Sequence, residues 1–273
     1  MSKENTIPLE ILVATMNRNS LDFLDTMFAN DDLNEHHILV INQTTEDSQL
    51  ESNSPRIRVI NSVETGLSRS RNLAIQHAQG TICLLTDDDV VFIKDFGQTI
   101  LSAYKSIPTA DLLCFQTLTH QGQPFSRYPK KRVNLNSFYS KVLSIEITFK
   151  RYSMIDNDLS FDALFGLGSV FEDGENRLFL KSVLDHPSLT AYFIPEFIVQ
   201  HGSTTSSDDV SSDRFIHARS ALNYKQHGNF VYFYIFKLLF SLLRKGYIKP
   251  REVWSKFQVA LNGISKFKTL NNA

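Results

Sequence analysis

The stretch VINSVETGLSRSRNLAIQHAQGTICLLTDDDV, residues 59–90, reads as the end of a strand, a helix and a second strand. Ile57–Ile60 (IRVI) reads as a short strand. Leu67, Ala74, Ile75 and Ala78 share one helix face, and Gly80 fits a helix C-terminal stop. Thr81–Leu85 is again short, apolar and bounded. Strands and helices alternating over short loops are βαβ units, and these imply a parallel sheet. The second strand ends in three consecutive carboxylates, Asp87, Asp88 and Asp89, before an apolar run resumes at Val90.

Adjacent like charges repel, and they raise one another's pKa unless a cation joins them. In an open α/β sheet, ligands bind at the carboxyl ends of the strands, which is where these acids fall. Mg²⁺ or Mn²⁺ would relieve the repulsion. Both take oxygen ligands, and Mg²⁺ commonly uses one or two carboxylates and leaves positions for phosphate. The residues therefore point to a metal–phosphate site, against the plainer reading of a solvated acidic turn.

The same alternation extends outward. Leu9–Thr15 is a strand, Ser20 is placed to cap a helix carrying Leu21, Leu24, Met27 and Phe28, and His37–Asn42 is the next strand. Residues 110–165 are less regular and hold one clear strand, LLCFQTLT. A helix is expected after Gly168, through Glu175 to Leu184. Ala191–Val199 is another strand, followed by His201, and 202–213 is a polar loop expected to be mobile. Asp213–Gln226 reads as helical. The expected fold class is α/β, with a mostly parallel sheet flanked by helices and a C-terminal helical extension. The main domain is 1–228 (nucleotide half about 9–92, acceptor half about 93–228), and the tail is 229–273.

The chain of 273 residues has a net charge of −1, which gives no argument for nucleic acid. The charge is unevenly spread. Residues 229–273 hold eight Lys or Arg (237, 244, 245, 249, 251, 256, 266, 268) and one acid, Glu252, so the tail is +7 and the rest −8. A basic tail suits an anionic surface. Within it FVYFYIFKLLFSLL, residues 230–243, is too short to span a bilayer. It reads either as a core helix or as an interfacial one. Cys83 and Cys114 lie in apolar runs without metal-ligand spacing and are expected to be buried free thiols. MSKENTIPLE lacks the apolar core of a signal peptide, so a cytoplasmic protein is expected, peripheral at the inner face of the plasma membrane if the tail binds lipid.

The ordered motifs of 59–90 resemble family 2 glycosyltransferases of the GT-A fold. Gly66, Leu67, Ser68, Arg71 and Asn72, then Gly80, Thr81 and Ile82, then Asp87-Asp88-Asp89 match that family's turn, helix, strand and Asp-Xaa-Asp motif in order. LVATMNR (12–18) is similar to its first strand and base-binding turn, and LVINQTTED (39–47) to its second, with Asn42 standing where an Asp often contacts uracil. The resemblance implies nucleotide binding by Thr15, Asn17, Arg18, Asn42, Thr44, Gly66, Arg71, Asp87 and Asp88, with Arg71 near the diphosphate. It implies a Mg²⁺ or Mn²⁺ ion held by Asp87, Asp89 and His201. For His201 an ordinary loop histidine is the alternative.

FDALFGLGSVFEDGENRLFLKSVL (161–184) resembles the family's acceptor-side motif, where the second acid of a Gly-Glu-Glu or Gly-Glu-Asp is the catalytic base. Here that position is Asn176, which cannot take a proton. Three readings stand: Glu175 as base, with Asp173 next; Glu172 or Asp173 one turn earlier; or an altered enzyme. The function implied is metal-dependent, inverting transfer from a nucleotide-sugar, a UDP-sugar first, to a saccharide or lipid-linked acceptor in bacterial surface polysaccharide synthesis. A non-catalytic sugar-nucleotide-binding subunit and a nucleotidyltransferase are the rivals.

Overall fold

Strands β1 (Leu9–Met16), β2 (His37–Gln43), β3 (Ile57–Ser62) and β4 (Ile82–Asp87) run parallel in the order β3–β2–β1–β4. Ile11, Val13, Ile38, Val40 and Leu84 belong to one apolar layer. Leu12, Leu39, Ile41, Cys83 and Leu85 belong to the opposite layer. Burial on both faces is why β1, β2 and β4 read as continuous apolar runs, whereas the edge strand β3 is half-buried along its length. The first layer also contains Leu24 and Met27 of α1 (Phe23–Met27) and Phe96 and Ile100 of α3 (Phe96–Ser106). The second contains Ala74 and Ile75 of α2 (Leu67–His77) and Phe179, Leu180 and Val183 of α5 (Glu175–Asp185). The fold is thus the expected α/β class. It is seen in a computed structural model that describes residues 6–202 and 209–271. Half of the loop expected at 202–213 therefore lies outside the described residues.

The sheet is larger than the sequence reading. Residues 110–165 contribute β6 (Leu112–Thr119), β7 (Val133–Asn134) and β8 (Ile147–Lys150), rather than one strand. β8 lies antiparallel between β4 and β6. β9 (Ala191–His201) runs parallel to β6, and β5 (Val91–Phe92) and β7 pair with β9 antiparallel. α4 (Arg151–Ile155) follows β8 and buries Met154 in the second layer. The early helix is also shorter than expected. It spans Phe23–Met27 with Asp22, not Ser20, at its N-cap position, although Leu24, Met27 and Phe28 are buried as read. Cys83 and Cys114 are free and buried, and burial pushes both thiols up.

The chain divides into two compact units. One comprises Met1–Asp162 with Asn176–Ser203, and the other Ala163–Glu175 with Thr204–Ala273. The second unit holds α6 (Asp213–His227), α7 (Val231–Arg244) and α8 (Val253–Asn271) around Ile216, Val231, Ile235, Leu239, Ala260 and Ile264. A Cβ at Gly263 would meet the His217 carbonyl oxygen at 2.3 Å, so glycine lets α6 and α8 approach. Among the described residues, no helix is long and apolar enough to cross a membrane.

Gly80 corrects a sequence expectation. α2 ends at His77, and Gly80 is not among the positive-φ glycines. Glycine is needed there because a Cβ would lie 2.6 Å from the Cβ of Glu10 and 2.8 Å from its backbone nitrogen. Glu10 is 1% exposed. Its carboxylate accepts from the Gly80 N–H at 2.8 Å, from the Gln79 N–H, and from Arg58 at 2.7 Å. We expect Gly80→Ala to cost about 1–3 kcal/mol of stability through overpacking. Urea unfolding checks this, and a variant as stable as the parent would contradict the close approach.

Candidate active site

β1 leads to β2 on one side of itself while β4 lies on its other side. The carboxyl ends of β1 and β4 thus flank a topological switch point, where open α/β sheets bind ligands. Ala14 is level with Asp87 across β1–β4, and Thr15 with Asn42 across β1–β2. The turn after β1 carries Asn17 in the left-handed region, φ +55°, which Asn tolerates better than most residues.

Each of the three aspartates has its own partners. Arg71 is 2% exposed; its guanidinium meets Asp87 at 3.0 Å, donates to the Asn176 side-chain oxygen at 3.1 Å and lies 5.5 Å from the Phe161 ring centre. Ser144 also donates to Asp87, at 3.4 Å. Asp88 accepts from the Thr15 hydroxyl and from Arg18, at 2.8 Å from Nε and 2.7 Å from the terminal nitrogen. This ties the turn after β1 to the end of β4. Asp89 is the outermost, with its side chain 64% exposed, and faces Nε2 of His201 at 3.4 Å. That contact pushes the imidazole above its ordinary value and the Asp89 carboxyl below its own. His201 is the last residue of β9, and its Nδ1 is 3.0 Å from the Gly202 carbonyl oxygen. In the neutral tautomer with Nδ1–H donating there, Nε2 keeps a lone pair on the Asp89 side.

The other nucleotide candidates gather around the same edge but face inward. Asn42 is fully buried. It accepts from the Arg18 N–H at 3.1 Å and donates to the Arg18 carbonyl at 3.1 Å and to Asn61 at 3.0 Å. It therefore fastens the Asn17–Arg18 turn. Thr44 donates to the Ser48 carbonyl at 2.8 Å. Gly66, φ +114°, precedes α2; its carbonyl and that of Glu64 accept from Gln43 at 3.0 and 2.8 Å. Asn72 grips the backbone of Phe161 in both directions, at 2.8 and 2.7 Å. Sequence reasoning gave no role to Gln43, Asn61, Asn72 or Ser144. For Gln43 and Asn61 a signal existed: a buried amide closing an apolar strand needs partners.

The base candidates lie in the second unit. Asp173 is 9% exposed and held by Arg219 at 2.7 Å. Glu172 lies 3.7 Å from Arg214. Gly174 adopts φ +93°, and a Cβ there would lie 2.8 Å from the Leu222 side chain. Glu175 opens α5, half-buried, while Asn176 begins the return of the chain to the first unit.

The family model described as Glycosyl transferase family 2 matches residues 11–186. The chain belongs to glycosyltransferase family 2. It is accordingly a glycosyltransferase, which sets aside the nucleotidyltransferase and the non-enzymatic readings. Among solved structures, residues 1–349 of S. aureus TarS are similar at 17% identity and a TM-score of 0.57, over 94% of this chain and 81% of that one. The same TarS segment in complex with UDP-GlcNAc gives 0.54 at 17% identity, over 96% and 80%. Its complex with UDP gives 0.51 at 17% identity, over 80% and 66%. At this identity the likeness shows a shared GT-A fold. No curated protein matches the chain by sequence.

Behind Asp87 the transferase carries a buried carboxyl that no motif announced. Glu146 is fully buried, two residues from Ser144. It accepts from the Tyr128 hydroxyl, from Thr117 at 2.9 Å and from the Leu143 N–H at 3.0 Å. Burial pushes its pKa up to about 7, against the opposing effect of these hydrogen bonds. A carboxyl raised on folding favours the fold while protonated, so its contribution declines as pH rises from its ordinary 4.5 through about 7. The unfolding free energy of the parent minus that of Glu146→Gln is therefore expected to fall between those two values. Denaturant titrations at several pH values check this, and a constant difference would contradict it.

Proposed function

We propose that this enzyme transfers a sugar from a nucleotide-sugar, a UDP-sugar first, to a saccharide or lipid-linked acceptor in surface polysaccharide synthesis, with inversion and with Mg²⁺ or Mn²⁺. The observation that carries the reading is the link from Thr15 and Arg18 to Asp88 across the β1–β4 switch point, with Asp89 and His201 at its outer edge. TarS structures solved with UDP and with UDP-GlcNAc share the fold and favour such a donor.

The residues fit a divalent cation in one particular way. Among the described residues no group of three His, Cys, Asp or Glu is poised around a single point, and Asp87 and Asp88 are already engaged by arginines. Asp89 and His201 would hold the ion, with diphosphate oxygens completing its coordination, as Mg²⁺ sites often require. When bound, it neutralises charge developing on the departing diphosphate. Arg18, 42% exposed at its side chain, is the available cation for a phosphate oxygen. Arg71 is a positioning residue in this scheme, holding Asp87 from beneath.

The acceptor hydroxyl oxygen attacks C1 of the sugar from the face opposite the diphosphate. The C1–O bond to the diphosphate breaks, and a carboxylate takes the hydroxyl proton. Glu175 is the proposed base. Asp173 is already paired with Arg219, which occupies its carboxylate.

Calorimetric titration of UDP with Mn²⁺ is expected to show binding that Asp89→Ala weakens at least tenfold and that metal removal abolishes. Undiminished binding by Asp89→Ala without Mn²⁺ would end the metal assignment. Glu175→Gln is expected to lower kcat by about 10²–10⁴-fold with UDP affinity unchanged. If Asp173→Asn alone produced that loss, the base would be Asp173.

A further inference from the structure

α7 shows its apolar residues on two opposite faces. Val231, Ile235, Leu239 and Leu242 are buried in the second unit's core. On the other face Phe233, Phe236 and Phe240 are 67%, 64% and 67% exposed, at the i, i+3, i+7 spacing of one helix stripe. The stripe continues onto α8. Phe236 stacks on Phe257 at 5.8 Å, and Phe257 lies 5.8 Å from Trp254, itself 68% exposed. Lys237 and Arg244 share the stripe by spacing, and Lys245, Lys249 and Arg251, all exposed, follow in the segment that joins α7 to α8. Glu252 is the single acid of residues 229–273, whose net charge is +7.

We infer that this aromatic, cation-rimmed face is the membrane-docking surface of the enzyme, and that its occupant is an anionic phospholipid bilayer. Exposed aromatics gain by entering the headgroup boundary, where their rings are half-solvated. Lys237 and Arg244 keep their charged ends at the phosphates while their stems lie along the rings. A helix of 14 residues cannot span, but it lies well in the interfacial plane. The basic residues argue for lipid rather than a second copy, because two such faces would set Lys237 and Arg244 against like charges. The inference refines the peripheral placement expected from the basic tail and does not rest on the chemistry of the proposed function.

Trp254 is the sole tryptophan, so the full chain carries its own reporter. Phosphatidylcholine vesicles containing phosphatidylglycerol are expected to shift its emission to the blue, and brominated lipid to quench it. Phe233→Ser with Phe240→Ser should abolish the shift. Lys237→Gln, Lys245→Gln and Lys249→Gln should each weaken vesicle binding about fivefold, less at high salt. All five positions are exposed, so far-UV dichroism should match the parent. No shift with any vesicle would overturn the inference, as would equal binding to pure phosphatidylcholine. A lipid-free dimer with Trp254 already shielded would assign the face to a second copy instead. No sugar-nucleotide is present in the experiment, so these failures leave the transferase reading standing.

Discussion

Three adjacent carboxylates at the mouth of a buried strand are the constraint around which this enzyme is built. Two unit charges about 4 Å apart interact by about 4 kcal/mol at the effective dielectric near a protein surface, a large share of the stability of any domain. The fold answers with two arginines and an imidazole from three separate segments: Arg71 from α2, Arg18 from the turn after β1, and His201 from the end of β9. None is a sequence neighbour of the acids. Each pairing that relieves the repulsion also fixes an element, so the electrostatics of the site and the closure of the sheet edge are the same set of contacts.

The pairings are unequal, and that inequality gives the site its direction. Arg71 is buried, and a buried guanidinium must keep its partners because losing one strands a charge. It holds Asp87 and reaches Asn176 with its other arm. An acid at 176 would set a second carboxylate on a guanidinium already paired. The amide there supplies an acceptor without a charge. Moving outward, Asp88 meets a half-exposed arginine, and Asp89 meets only a titratable imidazole. The outermost acid is therefore the one most open to an exogenous cation.

The βαβ rhythm, the acids and the buried thiols were legible because each is local: two-faced strands write continuous apolar runs, and like charges in sequence stay together in space. What escaped was long-range. β8 is four residues, ITFK, whose strand character comes from lying between β4 and β6. Asn42 has the position expected of a nucleotide contact, but Arg18 and Asn61 consume its hydrogen bonds. Gly80 resembled a helix stop, yet its reason is the side chain of Glu10, seventy positions earlier. Glu146 carried no signal, since its partners Thr117 and Tyr128 come from other segments.

The division of the chain bears on the acceptor. The segment 163–175, which ends in Asp173, Gly174 and Glu175, belongs with α6, α7 and α8 rather than with the nucleotide edge. Phe165 and Phe171 of that segment pack on Phe267 of α8, and Asp173 is bound to Arg219 of α6. The proposed base and the proposed lipid-facing stripe therefore belong to one unit. A lipid-linked acceptor would reach the enzyme at a height set by the bilayer, and its hydroxyl must meet the base to within hydrogen-bond distance. Building base and membrane face into one unit fixes the height of the first by the docking of the second. An acceptor free in solution would impose no such requirement, and the aromatic stripe would then be a large apolar exposure with nothing to offset it.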